Sequence, residues 1–250
     1  MTSLFELRRD ADLDVVGFGT NAVDYLVRVP RYPNFDTKVE LTEWSVEPGG
    51  EIASTMTALT RLGFRTAYAG RFGDDEAGRV GIESLRAEGV DVEHAETIAG
   101  AQTQVAFIIV DEASGERTIL WKRDQRLVYS VPDAPLELAR RCRILHMTPH
   151  DTAAATAMAN AAREAGAIVS LDIDNLFDGV EDLLKTTDIM LCSSDLLERL
   201  TGMRDKLSAM TEASLRFGCR VVGVTLGEEG SQLFADGVMI DTPAFKVPGG

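Results

Sequence analysis

Apolar and polar positions along the chain fall into two periods. Apolar runs at 14–19, 105–110, 168–173 and 221–226 are of strand length and read as buried β-strands. Ile52, Met56, Leu59 and Leu62 instead recur at helical spacing, and Gly63 stands just past them, where a helix commonly ends on a left-handed residue. The same reasoning predicts helices over 76–88, 136–141, 152–165, 195–200 and 208–217, with a shorter stretch over 180–184. Further strands are predicted at 66–69, 144–147 and 188–192, and the last long one extends over 220–226. From residue 136 onward strands alternate with helices, the signature of right-handed βαβ units and a parallel sheet.

The first half reads differently. Residues 25–29 are alternating and β-branched until Pro30, and 104–110 with 117–121 form two strand-like runs across a glycine-containing loop. These strands, roughly within 21–46 and 103–124, are expected to form a small sheet projecting from an α/β core. A last hairpin is predicted for 232–240 across Asp236-Gly237. No internal repeat, linker or low-complexity tract divides the chain, so residues 1–250 read as one domain.

Charge then narrows the function. Lys and Arg number 25 against 40 Asp and Glu, a net charge of −15. So acidic a chain lacks the positive field that phosphate backbones or anionic lipid surfaces require, which argues against nucleic-acid and membrane partners. Its longest basic cluster is Arg140, Arg141 and Arg143. The apolar runs fall short of the ~20 residues of a membrane helix. Cys142, Cys192 and Cys219 are an odd number without CxxC spacing, and the opening residues carry no apolar signal segment. A cytoplasmic location is expected.

Candidate chemistry sits at strand ends. Gly17-Phe-Gly-Thr-Asn-Ala22 fits a dinucleotide-binding G-x-G-x-x-A, but a strand pattern follows where that mechanism needs a helix N-terminus. What remains is Asp24, near the carboxyl side of the first strand, where open α/β sheets bind ligands. Pro48-Gly49-Gly50 precedes a helix and offers backbone amides unshielded by side chains, or else a plain tight turn. Asp74 and Asp75 read as helix caps rather than metal ligands. His146 and His150 are four apart, but Pro149 prevents one helix face from carrying both. Asp172 and Asp174 end a buried strand, and Thr225-Leu-Gly-Glu-Glu-Gly230 ends another in exposed backbone.

Taken in order, these elements resemble the ribokinase-like (PfkB) family of carbohydrate and nucleoside kinases over nearly the whole chain. The resemblance rests on Asp24, Pro48-Gly-Gly50, Leu62-Gly63, Gly70-Arg-Phe-Gly-Asp-Asp-Glu-Ala-Gly78, Gly89-Val-Asp91, Gly115-Glu-Arg-Thr118, Asp172, Leu200-Thr-Gly202 and Val224-Thr-Leu-Gly-Glu-Glu-Gly230. It implies a doubly wound, mostly parallel α/β fold with a small β lid. It also implies phosphorylation of a primary sugar hydroxyl by ATP with Mg2+. Asp24, Gly49, Gly50 and Ser54 would lie at the sugar. Asp172, Asp195, Thr225, Gly227 and Gly230 would lie at the nucleotide. The lid edge offers a route to a homodimer.

Departures from the family pattern are specific. Ser54 stands where an asparagine is common. The Asn-x-x-Glu motif reads Ser193-Ser-Asp-Leu196, leaving Asp195 as a substitute through water, and an Asp-x-Asn motif reads Asp172-Ile-Asp174. The family's Gly-Ala-Gly-Asp run, source of the catalytic base and of an anion hole, occurs nowhere in the sequence. The resemblance places it after the segment 243–248, so the expected base lies beyond Gly250 and no catalytic residue or metal ligand is nominated here. The expectation is a sugar kinase whose 250 residues turn over poorly and expose apolar surface. A sugar- or nucleoside-binding pseudokinase and a nucleoside kinase of the same fold are the rivals.

Overall fold

The computed structural model describes residues 4–246. The first apolar run becomes β1 (Leu13–Phe18); after a short turn the chain enters β2 (Ala22–Val29) and returns as β3 (Glu43–Gly49). Next come α1 (Glu51–Arg61), β4 (Thr66–Ala69), β5 (Arg71–Gly73), α2 (Glu76–Ala87) and β6 (Glu96–Ile98). The hairpin β7 (Val105–Asp111) and β8 (Arg117–Lys122) follows. The alternating half then runs α3 (Leu136–Ala139), β9 (Cys142–Met147), α4 (Thr152–Glu164), β10 (Ile168–Ile173), α5 (Val180–Leu184) and β11 (Ile189–Ser193). It closes with α6 (Ser194–Thr201), α7 (Lys206–Phe217), β12 (Val221–Thr225), β13 (Ser231–Ala235) and β14 (Val238–Thr242).

Eight strands form the central sheet in the order β14-β13-β12-β11-β10-β9-β1-β4. All neighbours from β4 to β12 pair parallel, and the final hairpin adds two antiparallel strands. Parallel strands covered on both faces need apolar side chains on both, which explains the unbroken runs in the sequence. On one face Val16, Leu145, Val169 and Leu171 pack with Met158, Leu183, Leu196 and Met210 of the later helices. On the other, Val15 and Tyr68 meet Ile52 and Met56 of α1 and Leu85 of α2. The chain leaves β1 for β4 on one side and resumes on the other with β9, so the crevice at the carboxyl end of β1 is a topological switch point.

Local chemistry sets the helix starts. Asp75 caps α2 by accepting from the Gly78 amide at 2.8 Å, an interaction worth about 1 kcal/mol. Ser193 does the same for α6, accepting from the Leu196 amide at 3.2 Å. Gly50 begins α1 at φ +96°, and a Cβ there would stand 2.4 Å from the Asn21 Cα, so only glycine lets β2 cross the start of α1.

A second sheet, ordered β3-β2-β7-β8, is separate from the core sheet and projects from it where the chain leaves the carboxyl end of β1. Asp24 lies opposite Glu47 on β3 and Ala106 on β7, so these share one face, while Tyr25, Val46 and Phe107 share the other. Arg123, just after β8, ties this sheet to the core through a bidentate pair with Asp151 at 2.7 and 2.8 Å.

Two elements differ from the sequence expectation. Pro48 and Gly49 are not a free turn: they finish β3, in register with Val23 and Ala22, so the projecting sheet extends to 49. Proline is tolerated there because β3 is an edge strand. The parallel pair β5 and β6 was not expected, since three residues each are too short to display a period.

Candidate active site

The loop after β1, the loop after β9, the end of β10 and the N-terminus of α1 come together around Glu51. Asp24 lies on β2, against Gly49 at the end of β3. It is half-buried, and burial pushes its carboxyl above the ordinary carboxylate range. Gly49 makes room for it, since a Cβ there would lie 2.2 Å from Asp24 Oδ2. Ser54, one helical turn after Gly50, is exposed and its amide donates to the Gly50 carbonyl at 2.9 Å. Asn21, Glu47, Gly49 and Ser54 all line one cavity of about 350 Å³ that continues between α1 and α2. Of the four predicted sugar residues, Gly49 and Ser54 line that cavity, Asp24 lies against Gly49, and Gly50 joins β3 to α1.

Glu51 is the principal addition to that set. Its Oε2 accepts from Thr20 Oγ1 at 3.1 Å and lies 3.9 Å from His150 Nδ1. Burial first, and then the charges of Asp174 and Asp172, push the Glu51 carboxyl up to about 7, against the Thr20 hydrogen bond. His150 leans on Phe177 with ring centroids 5.0 Å apart. Burial depresses its pKa, so it is neutral near pH 7. Asp172 is raised by burial and then by Asp174. His146, by contrast, is buried against Ser170 Oγ at 3.1 Å and depressed to about 4 by desolvation, a neutral packing residue.

The predicted nucleotide residues are spread more widely. Thr225 is exposed at the carboxyl end of β12, in register with Ser193 on β11. Gly227, at φ +56°, faces open space. Gly230 does not, because a Cβ would stand 2.0 Å from the Thr242 carbonyl oxygen; it packs against the end of β14. Asp195 points to solvent, with its side chain 82% exposed and Arg199 at 3.8 Å. The charge that acts on Asp172 is that of Asp174, not of Asp195. Leu196 is fully buried in the core.

Oxygen-only donors such as Asp172 and Asp174 suit a hard cation, which would relieve their mutual repulsion. Among the described residues, no three His, Cys, Asp or Glu side chains gather closely enough to hold an ion by themselves. Asp172 and Asp174 could supply one or two of a magnesium ion's oxygen ligands, the others coming from elsewhere. Glu51, Thr20, Asn21 and His150 were not singled out in this role from sequence. The only available signal was a glutamate directly after Gly-Gly at a helix start, and nothing local links it to His150.

The architecture is a doubly wound, mostly parallel α/β core with a second, four-stranded sheet. Residues 12–248 match the pfkB family carbohydrate kinases, and the chain belongs to that family. It is 30% identical to Fructokinase-1 of Zea mays over 253 aligned residues, covering 93% of this chain and 76% of the relative. Among solved structures, it superposes with a TM-score of 0.85 and 25% identity on a protein from Agrobacterium tumefaciens assigned provisionally as a ribokinase, covering 94% of this chain and 78% of the other. Arabidopsis thaliana ribokinase complexed with ribose and ATP matches with a TM-score of 0.75 at 22% identity, over 94% and 79% of the two chains, which speaks for the ribokinase-like fold alone.

Proposed function

We propose that this protein binds a small sugar beneath its projecting sheet and is built for phosphorylation of a primary hydroxyl by ATP with Mg2+. The observation that carries the reading is that Asp24 lies against Gly49, while Glu51, directly after Gly50, sits within the charge of Asp174 and Asp172 at the carboxyl end of β10. Asp24, partly desolvated and without a basic partner, accepts hydrogen bonds from sugar hydroxyls. Gly50 brings bare backbone to the sugar, and Ser54 lies one turn further along α1. Thr225 and Gly227 offer a hydroxyl and open backbone to the nucleotide. ATP, when bound with Mg2+, supplies the transferable phosphoryl group. The projecting sheet keeps water from competing with the acceptor hydroxyl.

No Gly-Ala-Gly-Asp run occurs in the 250 residues, and none of the cleft groups is assigned as the base. Sugar binding is therefore expected to survive better than turnover. An ADP-release assay on the 250-residue polypeptide with a panel of hexoses, pentoses and nucleosides tests this. Sugar-dependent release well below the roughly 1–100 s⁻¹ of ordinary kinases is expected. Ordinary turnover contradicts the account of the base, and stimulation by nucleosides alone favours the nucleoside-kinase reading.

Two further features belong to the same reading. Cys142, Cys192 and Cys219 are free and buried, which favours a reducing compartment such as the cytoplasm. No helix among the described residues is long and apolar enough to cross a membrane. The projecting sheet exposes Trp44, Val46, Phe107 and Leu120 on the face away from Asp24, which favours burial against a second copy.

A further inference from the structure

Carboxylates in this fold generally sit on arginines: Asp14 on Arg65, Glu96 on Arg71, Asp124 on Arg126, Asp151 on Arg123. The cleft is different. Among the described residues, Asp24, Glu51, Asp172 and Asp174 form no ion pair with any lysine or arginine, and the one basic group within reach of Glu51 is His150. Arg123, whose charge reaches His150, is already held in two hydrogen bonds by Asp151 and in a third by the Leu127 carbonyl.

Buried polar atoms on the segments that flank Glu51, the loops after β1 and β9, also lack partners. Asn21 Oδ1, Thr148 Oγ1 and His150 Nδ1 make no hydrogen bond. Asn21 is 4% and Thr148 1% exposed, so both are orphaned at a depth where such groups are normally paired. Asn21 is fixed with Nδ2 on the Tyr68 hydroxyl at 2.7 Å and the Arg71 carbonyl at 3.0 Å, which leaves Oδ1 as its free end. Thr148 Oγ1 sits beside Gly19 and Ile52, the neighbour of Glu51: a Cβ on Gly19 would fall 2.4 Å from it. Asn21 Oδ1 accepts and donates nothing, and the cleft carboxylates do the same once the pH exceeds the value of about 7 at which Glu51 gives up its proton. Their complement is a ligand that donates. A hydroxyl does so, whereas a phosphate ester at neutral pH offers acceptor oxygens and negative charge.

Resting on the sugar-kinase reading above, we propose that Glu51 is the acceptor-selecting residue of the cleft. With Asn21 and His150 it holds hydroxyls of an unphosphorylated sugar and turns away a sugar phosphate from the acceptor position. The nucleotide escapes the same repulsion because its phosphates carry a divalent cation, which the acceptor's own phosphate lacks.

Calorimetric titration at pH 8, where Glu51 is ionised, and without nucleotide tests this independently of turnover. The probes are fructose, ribose, fructose 6-phosphate and ribose 5-phosphate against the wild-type chain, Glu51→Gln and Glu51→Lys. At least one free sugar is expected to bind tenfold or more tighter than its phosphate. That ratio should fall at least threefold in Glu51→Gln, and approach or pass unity in Glu51→Lys. Should Glu51→Lys fail to fold by circular dichroism, Glu51→Gln carries the test. Equal or tighter binding of the phosphate by wild type, or an unchanged ratio in the variants, overturns the role of Glu51. If no sugar or sugar phosphate binds but uridine does, the sugar reading fails instead. Glu51 is then judged by uridine against uridine 5′-monophosphate, where the same tenfold preference supports its role and equality overturns it. Binding of none of these overturns both.

Discussion

A Cβ on Gly49 would stand 2.2 Å from Asp24 Oδ2, so a side chain at 49 and the carboxylate at 24 compete for the same space. Gly49 lies in β3 with no left-handed φ, so alanine meets no backbone penalty there. Gly49→Ala is therefore expected to displace the Asp24 carboxylate and weaken sugar binding at least tenfold, with an unchanged far-UV circular dichroism spectrum. Calorimetry on the purified variant checks the first part, and a thermal melt within a few degrees of wild type checks the second.

Glu51 makes stability depend on pH. Its folded carboxyl titrates near 7 rather than its ordinary 4.5, so the folded state holds the proton across that window and loses stability as pH climbs through it. The side chain is 37% exposed, and solvent screening reduces the effect to about 1 kcal/mol. Glu51→Gln should thus match wild type near pH 4.5 and exceed it by about 1 kcal/mol above pH 7. Urea unfolding at pH 5 and pH 8 measures the difference.

Arg123 and Asp151 join the projecting sheet to the core in a nearly dry pair, with side chains 13% and 3% exposed. Removing the arginine strands a buried carboxylate that retains, among the described residues, the Tyr129 amide at 3.2 Å as its donor. Arg123→Met is expected to destabilise by about 3 kcal/mol. The double variant Arg123→Met with Asp151→Leu should recover much of that loss. Chemical denaturation of the three proteins reads both steps.

How much of this was legible in the sequence depends on the range over which each feature is specified. Elements with a clear period were placed to within a few residues: α1 behind Ile52 and Met56, β10 at Ile168–Ile173, and the hairpin of β13 and β14 across Asp236-Gly237. β5 and β6 were not, because each is three residues long and exists only by pairing with the other. Asp24 and Gly50 were visible as a carboxylate and a glycine at strand and helix ends. Glu51 and His150 were not, because their chemistry comes from a long-range approach and from burial that no local pattern encodes. At Gly230 the structure adds a packing reason for glycine that no local pattern displays, since its Cβ direction is filled by the Thr242 carbonyl.

The outer face of the projecting sheet carries Trp44 at 66%, Leu120 at 56% and Phe107 at 48% exposure, with Tyr25 stacked on Phe107 at 5.0 Å. Sedimentation should show a dimer for wild type and a monomer for Phe107→Asp. A monomer at micromolar concentration for both contradicts pairing through this face.

Titration of wild type and Asp24→Asn with a panel of free hexoses and pentoses decides whether a sugar site lies at Asp24 under that sheet. Saturable binding of at least one sugar at one site per chain, weakened tenfold or more by Asp24→Asn, is the predicted result. No sugar binding to wild type, or equal affinity in both proteins, would contradict it.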